Sequence, residues 1–165
     1  RDWIMELGIL DEELGISMTF DSSDNVFITG YTRNGLEVNE NSGDFTVLLV
    51  KYNSYGVREW IKKLGRSELE YGARLIVDSS DNIYVTGFSS EFGPRNTLIA
   101  KYNTSGNREW TKALVSTLTE FAWDVTVDSN DNIYVTGFSA NSFGQNFGWK
   151  EDILLVKFNT DGIKL

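Results

Sequence analysis

The stretch DSNDNIYVTGFS at Asp128–Ser139 is the third statement of one phrase: DSSDNVFITGYT begins at Asp21 and DSSDNIYVTGFS at Asp78. A chain that repeats itself in this way is built from supersecondary units that close their cores against one another. Trp3, Trp60 and Trp110 each stand 18 residues ahead of those aspartates, and Gly30, Gly87 and Gly137 stand 9 beyond them. Lys51 and Lys101 lead Trp60 and Trp110 by 9. Only the glycine-to-lysine interval changes: 21 residues from Gly30 to Lys51, 14 from Gly87 to Lys101 and 20 from Gly137 to Lys157. The difference in period, 57 against 50 between tryptophans, therefore falls in one loop per unit. The repeats run 1–59, 60–109 and 110–165, and the first opens with a strand-like segment at 1–8 ahead of its own first strand.

Each unit reads as four strands. Strand A is ISMTFD, ARLIVD and WDVTVD; strand B is NVFITGYT, NIYVTGFS and its third copy; strand C is VLLVKYN, TLIAKYN and ILLVKFN; strand D is VREWIKKLG, NREWTKALV and the opening RDWIMELG. Val, Ile, Tyr, Phe and Thr dominate these runs, side chains that favour a pleated surface. SSDN or SNDN between A and B, and NSYG, NTSG or NTDG between C and D, are short polar turns, which predicts antiparallel hairpins. Strand B carries bulk on both faces, Ile83 and Val85 on one and Tyr84 and Phe88 on the other. A sheet with one wet face would alternate apolar with polar, so these sheets should be covered on both sides. Stacking around an axis satisfies that pattern. The predicted fold is all-β, a β-propeller of four-stranded antiparallel blades with three blades in this chain. A β-trefoil, which also divides twelve strands among three units, is the alternative, although it calls for a more one-sided pattern.

Composition limits the chemistry. With no cysteine and no histidine, disulfides, thiol nucleophiles, His-dependent triads and the usual zinc sites are excluded. An enzyme of this composition would work with carboxylates, Tyr, Lys or a bound cofactor. The net charge of -9 argues against a nucleic-acid backbone or an anionic membrane as partner. No apolar run approaches the ~20 residues of a membrane span. Hydrophobic residues at 41% and a single proline belong to a packed chain and not to a disordered one. No signal peptide is visible, and a chain that starts at Arg1 reads as a processed or excised piece.

DSSDNIYVTGFS followed by LIAKYNTSGNREW resembles the SBBP family of bacterial and archaeal β-propeller repeats, whose units read roughly D-s-s-G-N-i-Y-v-t-G, then K-y-n-s-G and a Trp. All three units match, over nearly the whole chain. One departure is consistent: Asp24, Asp81 and Asp131 stand where the family pattern has its turn glycine. Asp tolerates a left-handed backbone better than most residues, so the hairpin should survive the change. The resemblance implies a large exported or surface protein without an assigned activity, and hence an extracellular or cell-surface location.

Propellers complete a ring with about 4 to 8 blades, so three units imply a partial ring or half of an oligomeric one. Open sheet edges and blade faces invite another chain. The segment Arg1–Gly8 is expected to complete the last blade, but the join is imperfect. From turn glycine to Trp is 4 residues in Gly56–Trp60 and Gly106–Trp110, and 6 when Gly162–Leu165 is run into Arg1–Trp3. Two surplus residues favour a piece of a longer propeller. The competing reading is a ring of two chains in which each Arg1–Gly8 strand completes the partner's last blade. The expected partners are therefore other blades of the same longer chain or a second copy of it.

Antiparallel connectivity puts the D-to-A and B-to-C loops on one face, which carries every change of length and is the natural place for binding. Glu13, Glu70 and Glu120 stand 8 residues ahead of the strand A aspartates, and predict an acidic rim near the central opening. Such a rim would suit a cation or basic group; the plainer reading is solvated loop charge. Arg74 and Asp124, at strand A positions matching Ser17, point toward the channel or pair with neighbours. Phe121, Trp123, Phe143, Phe147 and Trp149, with Asn141, Gln145 and Asn146 among them, give the third unit an aromatic surface. Rings beside amides suit a sugar or a protein anchor, or else pack a loop on the next blade. Asp21, Asp24, Asp78, Asp81, Asp128 and Asp131 are candidates for calcium, since hard cations want oxygen ligands. They lack the spacing and distal glutamate of an EF-hand, and Asp and Asn closing their own turns explains them more simply. The sequon at Asn103–Ser105 falls in a C-to-D turn.

The leading expectation is a non-enzymatic repeat scaffold, needing no cofactor, that binds protein or glycan through the variable-loop face. One alternative is a carboxylate-dependent polysaccharide hydrolase or lyase, which needs paired acids roughly 5 to 9.5 Å apart. The other is a purely structural assembly module.

Overall fold

The computed structural model describes Ile4 and residues 13–32, 46–64, 71–89, 96–114, 120–140 and 151–165. Eleven strands occupy them: β1 Glu13–Phe20, β2 Val26–Thr32, β3 Thr46–Tyr52, β4 Arg58–Lys63, β5 Tyr71–Val77, β6 Ile83–Ser89, β7 Asn96–Tyr102, β8 Arg108–Leu114, β9 Glu120–Val127, β10 Ile133–Ala140 and β11 Glu151–Phe158. They form three antiparallel meanders, β1–β4, β5–β8 and β9–β11, here called sheets one, two and three. The arrangement is all-β and propeller-like. It does not follow the β-trefoil, in which strands of different units pair to make a barrel: among the described residues every ladder joins consecutive strands of one sheet. Sheets one and two each include a fourth strand, β4 and β8, and these strands contain Trp60 and Trp110. Sheet three has three described strands, with Lys164 bridging to Phe158 at its outer edge. The fourth strand expected from Arg1–Gly8 lies outside the described residues, except that Ile4 is exposed.

The hairpins follow from local chemistry. In the first A-to-B turn the Asp24 N–H donates to the Asp21 carbonyl at 3.1 Å and the Asp21 N–H to the Asn25 carbonyl at 3.0 Å. This requires a left-handed residue after a tight turn, and Asp24, Asp81 and Asp131 supply it with φ of 61°, 62° and 59°. The C-to-D turns have the same hydrogen-bond pattern, with Gly56, Gly106 and Gly162 at the left-handed position.

Bulges explain two other repeated letters. Each first strand carries an extra residue against its neighbour, between Gly15 and Ser17, Gly72 and Arg74, and opposite the Thr136–Gly137 step. The bulged strand brings its carbonyl against the glycine of strand B, and a Cβ at Gly30 or Gly137 would collide with the carbonyl of Leu14 or Phe121. A second bulge, opposite Lys51–Tyr52 and Lys101–Tyr102, accommodates the extra Glu of each REW triplet. Glu59 then meets Lys51 Nζ at 3.0 Å and Glu109 meets Lys101 Nζ at 3.1 Å.

The core lies between sheets. The face of each sheet that looks to the following one is its back, and the opposite face its front. The back of sheet one (Phe27, Val47, Leu49, Leu64) packs on the front of sheet two (Leu75, Ile83, Val85, Leu98). The back of sheet two (Tyr84, Ile99, Leu114) packs on the front of sheet three (Val125, Ile133, Val135, Val156). Strand B of the middle sheet is thus covered on both faces, with Ile83, Val85 and Tyr84 at 0% exposure. The side chain of Phe88 lies outside the described residues. Strands β1, β5 and β9 meet in succession, which makes the first strand of each sheet the one nearest its neighbours' first strands.

Candidate functional site

Asp21, Asp78 and Asp128 are turn-closing residues. Asp21 Oδ1 accepts from the Ser23 and Asn25 amides, both at 2.9 Å, and Oδ2 accepts from Asn25 Nδ2 at 2.7 Å. Asp78 and Asp128 hold Ser80, Asn82, Asn130 and Asn132 in the same way. The Tyr84 and Tyr134 hydroxyls add a further bond to Asp78 and Asp128, at 2.9 and 3.1 Å. The Asn132 side-chain bond leads the donors that hold the Asp128 carboxyl down at about 2. Burial, and then the Asp78 carboxylate, push the Tyr84 phenol well above its ordinary range. Among the described residues no three carboxylates converge into a group that would hold a metal. The side-chain oxygen of the sequon residue Asn103 likewise serves its turn, accepting from Ser105 and Asn107.

Asp81 and Asp131 do something the sequence does not announce. The Ser22 amide donates to Asp81 Oδ1 at 2.8 Å and the Ser22 hydroxyl to Asp81 Oδ2 at 2.7 Å. One unit on, Ser79 makes the same pair to Asp131, at 3.0 and 2.6 Å. Each carboxylate is a two-pronged clamp on the turn of the preceding sheet, and these bonds, side chain first, hold both carboxyls below their ordinary value. Further bonds cross the same joints: Arg74 Nη1 donates back to the Ile16 carbonyl of sheet one at 3.0 Å, and Trp110 Nε1 forward to the Thr160 carbonyl beyond β11 at 3.2 Å. Arg74 thus pairs with the neighbouring sheet, whereas Asp124 accepts from the amide next to it, that of Val125.

The proposed acidic rim takes a different form. Glu13 and Glu120 are the first residues of strands, opposite Thr32 and Ser139, and not loop residues. Glu13 is half-buried and accepts from the Thr32 hydroxyl at 3.5 Å. Glu120 is buried at 7% exposure on the face it shares with Ala122, toward sheet two, and its Oε2 has no hydrogen-bond partner among the described residues. Solvated loop charge therefore does not describe Glu120. Glu70 lies outside the described residues.

The aromatic surface is half visible. Phe121 stacks on Phe138 at 4.9 Å and 23°, and Trp123, the bulge residue, tilts against Phe138 at 6.2 Å. Trp123 is 62% exposed. Phe138 pairs with Ile153 across the ladder, so both side chains belong to the back of sheet three, where Ile153 and Leu155 are exposed. Phe138 was missed in the sequence because it sits in the strand B phrase, where it reads as core. Phe143, Phe147, Trp149 and the three amides lie outside the described residues.

No protein-family profile matches the chain. It is similar to an uncharacterized WD repeat-containing protein of Acanthamoeba polyphaga mimivirus, 25% identical over 52% of this chain and 8% of that protein. The chain thus corresponds to a small part of that relative's length. WD repeats are propeller blades of four strands, so the similarity points, as the sheets do, to a β-propeller kind of repeat.

Proposed function

We propose that this chain is a non-enzymatic β-propeller scaffold of the SBBP type, extracellular or at the cell surface, that binds protein through the exposed back of its third sheet. The observation that carries the reading is the Trp123–Phe138 cluster, continuous with Ile153 and Leu155 on one face. Large exposed aromatic and aliphatic side chains on a rigid sheet are the chemistry of a protein anchor. Repeat motifs and the likeness to a WD repeat-containing protein support the propeller part; the family resemblance supports the location. Glu120, directed into the joint between sheets two and three, stands apart from this surface, whose exposed carboxylate is Asp124, opposite Thr136 and next to Trp123; the hydrolase reading would need a second acid paired with it.

The test sets wild type beside Trp123→Ala on an array of purified proteins and a panel of soluble polysaccharides. Protein binding that falls at least about tenfold in Trp123→Ala, a loss of about 1.4 kcal/mol, is the expected result. Saturable polysaccharide binding lost in the same variant would replace protein by glycan, and reducing ends released from a polysaccharide would restore the enzyme.

A further inference from the structure

One end of the joint between sheets two and three gathers buried oxygens that the described residues leave without hydrogen bonds. Glu120 and Ser139 face each other across the β9–β10 ladder and are 7% and 2% exposed. Residues paired in this way share a sheet face, with Cβ atoms about 4.5–5.5 Å apart. Here that face is the front of sheet three, turned with Ala122 toward sheet two. Thr97, at 0% exposure, lies on the back of sheet two, and β9 packs against its strand, β7. Glu120 begins β9, Thr97 is the second residue of β7 and Ser139 the last but one of β10, so all three stand at the variable-loop end. Glu120 Oε2, Ser139 Oγ and Thr97 Oγ1 each have no hydrogen-bond partner among the described residues.

The repeat shows that packing does not require these groups. In sheet one Glu13 stands opposite Thr32 in the same pairing and accepts its hydroxyl at 3.5 Å; Glu120 and Ser139 form no such bond. Val47 holds the position of Thr97 and is equally buried, so a methyl fills that place as well as a hydroxyl does. Thr29 and Thr86, also buried without partners, recur in both joints and belong to the blade rather than to this end. A carboxylate withdrawn from water beside unpaired hydroxyls is strongly disfavoured unless a positive charge shares the space.

From this we infer that Glu120, Ser139 and Thr97 bind a small monovalent cation, sodium or potassium, between sheets two and three. Charge sets the class. One carboxylate and two neutral hydroxyls balance a single positive charge, whereas a divalent ion would leave an excess charge buried. All three ligands are hard oxygens, which suit an alkali cation and not a soft metal. Their burial favours a bare ion over the lysine of another protein, whose stem would need an open path. Asp152 pairs with Ser139 on the same face and is exposed, which puts a solvated negative charge at the mouth of the site. The site pins sheet three to sheet two beside the variable loops, on the face opposite the Trp123 surface, and is independent of what that surface binds.

The test is thermal unfolding in sodium chloride, potassium chloride and choline chloride at one ionic strength, choline being too large for a buried site. The wild-type midpoint should rise saturably above its choline value by at least about 2 °C in at least one alkali salt. Glu120→Gln keeps the shape and removes the charge, and should weaken the cation's effect at least about tenfold in concentration. Thr97→Val installs the side chain that sheet one already carries, so it keeps the fold and should weaken the response in the same direction should Glu120→Gln not fold. Equal wild-type midpoints in the three salts would overturn the proposal, and so would a response that survives undiminished in the folded variants.

Discussion

A left-handed backbone position is usually filled by glycine because a Cβ is strained there. Aspartate at Asp81 and Asp131 accepts that strain and uses its carboxylate to hold Ser22 and Ser79 of the preceding sheet. Asp81→Gly separates the two roles, since glycine keeps the turn and removes the clamp. At pH 7 the variant should unfold at lower denaturant concentration than wild type. The sign with pH follows from the shifts. Both carboxyls titrate below their ordinary 3.8 in the folded chain, so the clamp's contribution is complete above that value and is lost as pH falls through the depressed folded value. Denaturation curves at pH 7 and at the acid end should show the gap between wild type and variant closing on acidification. Asp21, Asp78 and Asp128 spend their oxygens on turn amides and asparagine. Neither calcium nor EDTA should therefore move the thermal midpoint, and a calcium-dependent rise would return these turns to the metal reading.

Among elements, the strands and turns were legible because period-two bulk and Asp/Asn/Gly turns are local signals. Bulges were not: one extra residue in an apolar run breaks no pattern, and Trp123 and Glu59 read as ordinary strand residues until the register is known. The clamps were hidden for a different reason, since Ser22 and Asp81 are 59 residues apart and local turn chemistry already accounts for both. Likewise Glu120 looked like loop charge because a strand end beside a variable loop has the same composition as the loop. The glycine of strand B gives a clear test of the bulge. Gly137→Ala places a methyl on the Phe121 carbonyl and should cost about 1–3 kcal/mol in chemical denaturation. The back-face positions offer a second. Leu49→Ala, at 0% exposure, should cost about 2–5 kcal/mol. Leu155→Ala, at the matching position, should change the stability of a dilute chain by less than about 0.5 kcal/mol. Equal costs would mean that the back of sheet three is covered in solution as those of sheets one and two are.

At the scale of the whole molecule, stability is a matter of joints. All described strand pairing lies within sheets, and the large buried side chains lie mainly between them. Such a chain should behave as a row of units coupled to nearest neighbours, each unit gaining from every face it has covered. Sheet two, packed on both faces, should be the last to open, and its strand β6 should set the upper limit of hydrogen-exchange protection. Val135→Ala removes bulk from the joint between sheets two and three, where Val135 is at 0% exposure. If coupling runs only through adjacent faces, exchange in β10 should accelerate most, β6 less, and β2 hardly at all, at a chain concentration low enough to keep molecules apart. Equal acceleration in β2 and β10 would show instead that the three sheets open together. The continuous line of turn clamps would then bind them into one cooperative body, and any partner docked on sheet three would be felt at sheet one.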